Sequence, residues 1–528
     1  MLTCDRRHFL AATGGLALTG ALGRVDRLWA APRFPDDPFA LGVAAGDPWP
    51  DGFVIWTRLA PRPLEENGGM PKAAVALQWE VAEDPAFRRV VQHGDTLARP
   101  ELAHSIHVEV EGLHPRRPYW YRFAIGGVAQ SPVGMARTAP APGDLPEQMR
   151  LIVAGCQNYQ HGWYSAWRHI SEEPDIDAVF HYGDYIYEDG GPSKKVICDA
   201  SGKVVSRAHL GGETYSLDDY RRRYALYKSD PDLQAAHAAA AFIMSFDDHE
   251  VDNNWVGASD QDGTPPEAFL LRRFAAMQAW YEHVPVRRAQ FPHADGLTMF
   301  RRLDYGALCR IHVLDTRSYR TDQLCMGSDD HHCRTDERPD STMIGPAQEA
   351  WLAEGLRGST ARWNLIAQQV RMMPLVRRGP AGEALPTPTD TWSGYPQARA
   401  RLVSEIAQAG LTNVIVATGD AHMHNVGTVP MRDDEPDGPA AAVEFMASSI
   451  SSEGDGAPVT PAIQAYLDGR NPNLVLANHQ RGYDRFDIEP ALWRTDVKVI
   501  DQVQKPGGSA HTLARFAVAP HGAAIVRA

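Results

Sequence analysis

Leu151-Ile152-Val153-Ala154-Gly155-Cys156-Gln157-Asn158 decides the fold: four consecutive apolar residues, then an abrupt change to glycine and polar groups. A strand apolar at every position is buried on both faces, the mark of a sheet covered by helices. Three later stretches repeat the arrangement. Ala178-Val179-Phe180 leads to Gly183-Asp184-Tyr185-Ile186-Tyr187, Phe242-Ile243-Met244 to Asp247-Asp248-His249-Glu250, and Val414-Ile415-Val416 to Gly419-Asp420-Ala421-His422-Met423-His424. Open α/β sheets collect ligands at the carboxyl ends of their strands. Four such ends here carry thiol, carboxylate, phenol and imidazole groups, the side chains that hold metal ions. Taken singly, each is ordinary: Gly-Asp after a strand makes a turn or a cap, and a cysteine there is usually buried filler. Their joint occurrence points to an active site.

Working outward, further apolar runs at 308–314, 364–367 and 443–447 alternate with helical stretches expected over 217–227, 348–356 and 397–409. This alternation predicts an α/β catalytic domain over 148–528. Residues 38–140 read differently, as short strands separated by turns, which predicts an all-β sandwich. Leu113-His114-Pro115 followed by Tyr119 and Tyr121 resembles the corner of a fibronectin type III-like domain, where a tyrosine hydroxyl bonds back to the chain. Ala139-Pro140-Ala141-Pro142-Gly143-Asp144 reads as a linker.

A chain of 528 residues, 44% hydrophobic and 22% charged, is globular and too long for one core. Its net charge of -14 disfavours nucleic-acid backbones and anionic membrane surfaces as partners. No segment after the N-terminus is apolar for long enough to cross a bilayer, so no transmembrane anchor is expected once the leader is removed. Residues 1–31 have the layout of a cleaved export signal: Arg6-Arg7-His8-Phe9-Leu10, a moderately apolar stretch, then Trp29-Ala30-Ala31. The paired arginines suggest the twin-arginine export machinery as a partner and a periplasmic or extracellular destination. Five cysteines would follow the cut, an odd number, so at least one thiol is unpaired or bound. Cys325 and Cys333 could bridge, with Cys198 as a competitor. Cys309 reads as a buried strand residue, and Cys156 is the one surrounded by chemistry.

Gly-Asp-x-x-Tyr at 183–187, Asp-Asp-His-Glu at 247–250 and Gly-Asp-x-His at 419–422 resemble the calcineurin-like metallophosphoesterase superfamily. Relatives there carry Gly-Asn-His-Glu and Gly-His-x-His at the last two motifs. Cys156 and the two aspartate replacements are similar to the PhoD alkaline phosphatase/phosphodiesterase family, as are Ile55-Trp56-Thr57-Arg58, Asp315-Thr316-Arg317-Ser318-Tyr319-Arg320 and the twin-arginine start. The resemblance runs from the leader to about residue 452. It implies a four-layer α/β/β/α metallophosphoesterase sandwich preceded by a fibronectin III/Ig-like sandwich domain. It also implies a first metal on Cys156, Asp184, Tyr187 and His422, with Asp184 bridging to a second metal on Asp248 and Asp420. The histidine that relatives place between these motifs is missing, since the comparable strand gives Ile366-Ala367-Gln368-Gln369-Val370.

Thiolate and phenolate donors favour a transition metal and stabilise Fe3+ in particular, while a carboxylate-rich second site suits Ca2+. The resemblance implies the same pair. The residues alone leave Mn2+ and Zn2+ open. The expected activity is exported, metal-dependent hydrolysis of small or polymeric phosphate esters, monoesters and also diesters, with Asp184, Asp248 and His249 at the reacting centre. His249 would contact phosphate or protonate the leaving group, or else orient Asp248. His424 is expected to support a ligand, Glu250 and Asn158 rank lower, and Arg317 and Arg320 are either phosphate contacts or structural ion-pair partners. Arg221-Arg222-Arg223 reads as a solvated helix face beneath the site. Two rivals remain: a phospholipase D-like or polymer-directed phosphodiesterase, and a binding protein built on a degenerate catalytic unit.

Overall fold

Two large sheets carry the apolar runs. The first has ten strands, in the spatial order Ile525–Arg527, Ala510–Val518, Trp493–Ile500, Arg481–Ile488, Met149–Ala154, Ala178–His181, Ala241–Met244, Val43–Trp49, Gly52–Arg58 and Ser105–Val110. Its centre is parallel: Met149–Ala154, Ala178–His181 and Ala241–Met244 lie side by side in register, with Val153 opposite Phe180 and Phe180 opposite Ile243. The second has seven strands, and its parallel core is Cys309–Val313, Trp363–Ala367, Val414–Thr418 and Ala440–Met446. The structure, a computed structural model, describes residues 33–293, 296–323, 340–375, 388–461 and 471–528. The leader expected over 1–31 and the cysteines at 325 and 333 lie outside those residues.

The sheets pack face to face. Leu151, Val153 and Phe486 of the first share one core with Ile311, Leu365, Ile415 and Phe445 of the second. The opposite face of the seven-stranded sheet, with Ile366, Val414 and Val416, is covered by the helices Gly345–Arg357 and Pro396–Gln408 through Leu352, Leu356, Leu402 and Ile406. Ser165–Glu172, Leu217–Lys228, Pro231–Ala239 and Pro266–His283 cover the ten-stranded sheet. This is the α/β/β/α layering.

The N-terminal residues form an all-β sandwich whose two halves belong to different sheets. Val90–Ala98, Val75–Ala82, Pro118–Ile125, Ala129–Gln130 and Gly134–Arg137 make a five-stranded sheet of their own. Its inner face, Leu77, Val81, Tyr121 and Phe123, packs on Val43, Phe53, Ile55 and Ile106, which belong to the ten-stranded sheet. The tyrosine corner is present: Tyr119 OH accepts the His114 backbone N–H at 2.9 Å.

Candidate metal centre

The parallel strands stop just where the ligand-bearing motifs begin, so both sheets deliver their loops to one place. Tight turns do the aiming. Cys156, Asp184, Asp420 and His422 all have left-handed backbones, with φ of 52°, 55°, 67° and 52°. This conformation is uncommon for residues other than glycine, and runs of it mark sites whose surroundings enforce it. Gly183 and Gly419 give the close approach these turns need, since a Cβ on Gly183 would sit 2.5 Å from the Asp247 backbone nitrogen and one on Gly419 2.1 Å from the Tyr182 ring.

Three overlapping groups of ligand atoms result, each with its members within 4.8 Å of one another: Cys156, Asp184 and His422; Asp184, Asp248 and His249; and Asp247, Asp248 and Asp420. Tyr187 joins the first group, its hydroxyl 2.9 Å from Asp184 Oδ2 and 3.1 Å from His422 Nε2. Cys156 Sγ lies 3.2 Å from Asp184 Oδ2. All the residues expected from the sequence as ligands or at the reacting centre are therefore neighbours.

The electrostatics describe a cluster short of positive charge. Burial pushes the Cys156 thiol well up, with Asp184 and Asp420 adding to it. Asp184 is raised by burial and by Asp248 and Asp247 against the pull of His249. Asp420 is likewise raised by burial, then by Asp247 and Asp390. Asp247 is pushed up to about 6 by burial, Arg317 opposing. Burial acts on Asp248 too, but Arg317 and His249 outweigh it and hold it well below the usual carboxylate range. Asp184 Oδ1, Asp247 Oδ2 and Asp248 Oδ1 are buried with no hydrogen-bond partner. A buried carboxylate oxygen without a donor is costly. Bound cations relieve that cost and reverse the pKa shifts, so the donor set fits metal ions.

Supporting groups surround the ligands. The Glu250 carboxylate accepts the backbone N–H groups of Asp184 at 3.0 Å, Tyr185 at 2.6 Å and Asp247 at 2.8 Å, fixing two motifs on one side chain. Glu188 accepts from His249 Nδ1 at 2.7 Å, and the His249 ring lies against Tyr187, centroids 4.0 Å apart. Ser452 Oγ is 2.7 Å from Tyr187 OH, 2.8 Å from the Cys156 carbonyl and accepts the Asn158 N–H at 3.0 Å. Arg481 donates to the carbonyls of Ser452, His422 and His479. His424 sits behind the ligands, its Nδ1 3.1 Å from the buried carboxylate of Asp484.

Arg317 is wholly enclosed, donating to Asp247 at 2.5 Å and to both oxygens of Asp390 at 2.7 and 2.8 Å, with Asp248 and Asp420 at 3.6 Å. Arg320 also binds Asp390. Both are ion-pair partners of carboxylates. The solvated reading of the arginine helix holds for Arg222 alone: Arg221 pairs with the buried Glu282, and Arg223 is buried, donating to the carbonyls of Tyr187, Asp189 and Gly212.

Sequence reasoning passed over Asp247, Glu188, Ser452 and Arg481. Asp247 stands in the quoted Asp-Asp-His-Glu, and Ser452 follows the apolar run at 443–447, a fifth strand end whose sequel carried a signal. Glu188 and Arg481 act through contacts that no local pattern announces.

Residues 151–497 match the family described as PhoD-like phosphatase, and residues 26–140 match the PhoD-like phosphatase N-terminal domain. The chain is 42% identical over 523 residues to alkaline phosphatase D of Bacillus subtilis (strain 168), covering 97% of this chain and 87% of that protein. A solved structure of PhoD superposes with a TM-score of 0.88 at 41% identity, covering 94% of this chain and 93% of that one. With fold, motifs and both family regions in agreement, the chain belongs to the PhoD-like phosphatase family and is an enzyme of that family.

Proposed function

We propose that this enzyme is an exported alkaline phosphatase that hydrolyses phosphate monoesters and also diesters, using Fe3+ on Cys156, Asp184, Tyr187 and His422 and Ca2+ on the carboxylates of Asp184, Asp248 and Asp420, with Asp247 added. The observation that carries this reading is the run of three overlapping ligand groups whose buried carboxylate oxygens lack donors. The name of the Bacillus relative supports the activity. Thiolate with phenolate suits a ferric ion, and an all-carboxylate set suits a hard cation such as calcium. When bound, such cations neutralise phosphoryl charge and activate an oxygen nucleophile. The chain's own part is positioning. Glu188 engages His249 Nδ1 and the Tyr187 ring covers one face, so the imidazole is oriented with Nε2 free to serve the ester oxygen that departs. Arg317 keeps Asp247 and Asp248 together without itself reaching substrate.

Export through the twin-arginine route remains part of the proposal, on the layout of residues 1–31. Among the described residues no helix is long and apolar enough to cross a membrane. The test is turnover of p-nitrophenyl phosphate and bis-p-nitrophenyl phosphate by purified protein, with metals counted by elemental analysis. Both esters should be hydrolysed by protein holding iron and calcium. Inactivity on both with metals bound would refute the catalytic reading, and zinc without iron would refute the first-site assignment.

A further inference from the structure

The loop that begins at Cys156 runs on through Asn158 to His161, a histidine that none of the assignments above uses. Its Nδ1 accepts the backbone N–H of Glu453 at 3.1 Å. A neutral imidazole that accepts at one nitrogen carries its proton on the other, so Nε2 is an N–H donor. That nitrogen has no partner among the described residues, and the ring is only half-buried, so a ligand can reach it. Burial, then the charges of Lys195 and His422, lower the ring to about 4, which keeps it neutral and the donor fixed.

Glu453 ties this histidine to the metal centre. With φ at 69° it turns its backbone N–H to His161, accepts Lys195 Nζ on its carbonyl at 2.8 Å, and places its carboxylate 3.4 Å from His422 Nδ1. His161 therefore stands one residue removed from His422, a member of the first ligand group. A phosphoryl group has oxygens that cations leave uncovered, and these need donors. The arginines around the site do not offer them: Arg317, Arg223 and Arg481 donate to carboxylates and carbonyls of the protein, and the donors left without a partner, Arg481 Nε and Arg320 Nη2, are buried.

We infer that His161 is a substrate-binding residue, donating from Nε2 to a phosphoryl oxygen of the ester bound at the carboxylate cluster. This rests on the phosphoesterase reading. Lys195, held by the same residue, adds positive potential at the rim.

The test uses the full, metal-loaded protein with His161→Phe, which keeps the ring and removes both nitrogens, and His161→Gln, which keeps an N–H. Binding of inorganic phosphate is measured by calorimetry, and kcat and KM with p-nitrophenyl phosphate. The phenylalanine variant should bind phosphate about ten- to a hundredfold more weakly, the size of one hydrogen bond to a charged oxygen, and lose kcat/KM in proportion. Glutamine should restore most of both. Metal content and melting temperature should match wild type. Phosphate binding and turnover unchanged in His161→Phe would overturn the inference, as would loss of metal in both variants, which would make the role structural. If wild type turns over no ester but His161→Phe still weakens phosphate binding, the hydrolase reading falls and the phosphate contact stands.

Discussion

Among single residues, Glu250 carries more of the centre than any ligand does, because one carboxylate holds three backbone N–H groups from two different loops. Two of those donors converge on Oε2 and one on Oε1. Glutamine can accept on one oxygen only, and its NH2 must then face a buried N–H. Leaving a buried donor unsatisfied while opposing two donors costs about 3 kcal/mol. Glu250→Gln is therefore expected to lower stability by about that amount in urea denaturation and to reduce bound metal, since Asp184 and Asp247 lose their fixed backbones. A variant with wild-type metal content and an unchanged urea midpoint would show that the ligands hold themselves in place. Asp248 and His249 were readable from the sequence as chemistry because they follow an apolar run. The same quartet's Glu250 ranked low, since its value lies in which backbone it meets, and that depends on the fold.

At the scale of elements, the helix Leu217–Lys228 links the N-terminal strands to the metal loops. A capping box starts it, with Ser216 and Asp219 satisfying each other's backbone N–H groups, and the start agrees with the helix expected from 217. The helices expected over 348–356 and 397–409 run Gly345–Arg357 and Pro396–Gln408, each with a proline in its first turn and no side-chain cap. The longest helix among the described residues, Pro266–His283, was not anticipated: its buried residues include Arg272, Glu282 and His283, while Leu271 and Phe274 are exposed, so no clean apolar stripe marks it. The last residue of Leu217–Lys228 makes a testable contribution. Lys228 is buried with its ammonium 4.0 Å from the Trp56 ring centroid, and burial lowers it from 10.5 to about 7. Between those two pH values the unfolded chain holds a proton that the folded chain lacks, so this group makes stability rise with pH. Its slope is at most about 1.4 kcal/mol per pH unit. The difference in unfolding free energy between wild type and Lys228→Met should accordingly shift in favour of wild type from pH 7.5 to pH 9.5. A difference that stays flat over that range would mean Lys228 keeps its charge when folded.

For the whole molecule, the consequential feature is a pairing that no local pattern reveals. Val43–Trp49 lies parallel to Ala241–Met244, with Ala45 opposite Ala241 and Gly46 opposite Phe242, so strands from the N-terminal sandwich extend the sheet that bears the metal loops. Register between segments so far apart in the chain is set by tertiary packing, and period-two alternation cannot disclose it. The C-terminal strands Arg481–Ile488 and Trp493–Ile500 extend the same sheet from its other side, bringing Arg481 to the centre. Phe34–Ala528 accordingly forms one compact unit. The seam admits no side chain at Gly46, where a Cβ would meet the Pro285 carbonyl oxygen at 1.9 Å and that of Phe242 at 2.8 Å. Gly46→Val forces these strands apart, at a cost of about 3 kcal/mol or more. Because the seam joins the sandwich to the strand that ends in Asp247 and Asp248, the damage should not stay in the sandwich. The variant should lose tertiary circular dichroism and p-nitrophenyl phosphate turnover together, at one lowered temperature. If turnover survives to the wild-type temperature while part of the tertiary signal melts early, the sandwich unfolds on its own and the shared sheet does not couple it to the metal centre.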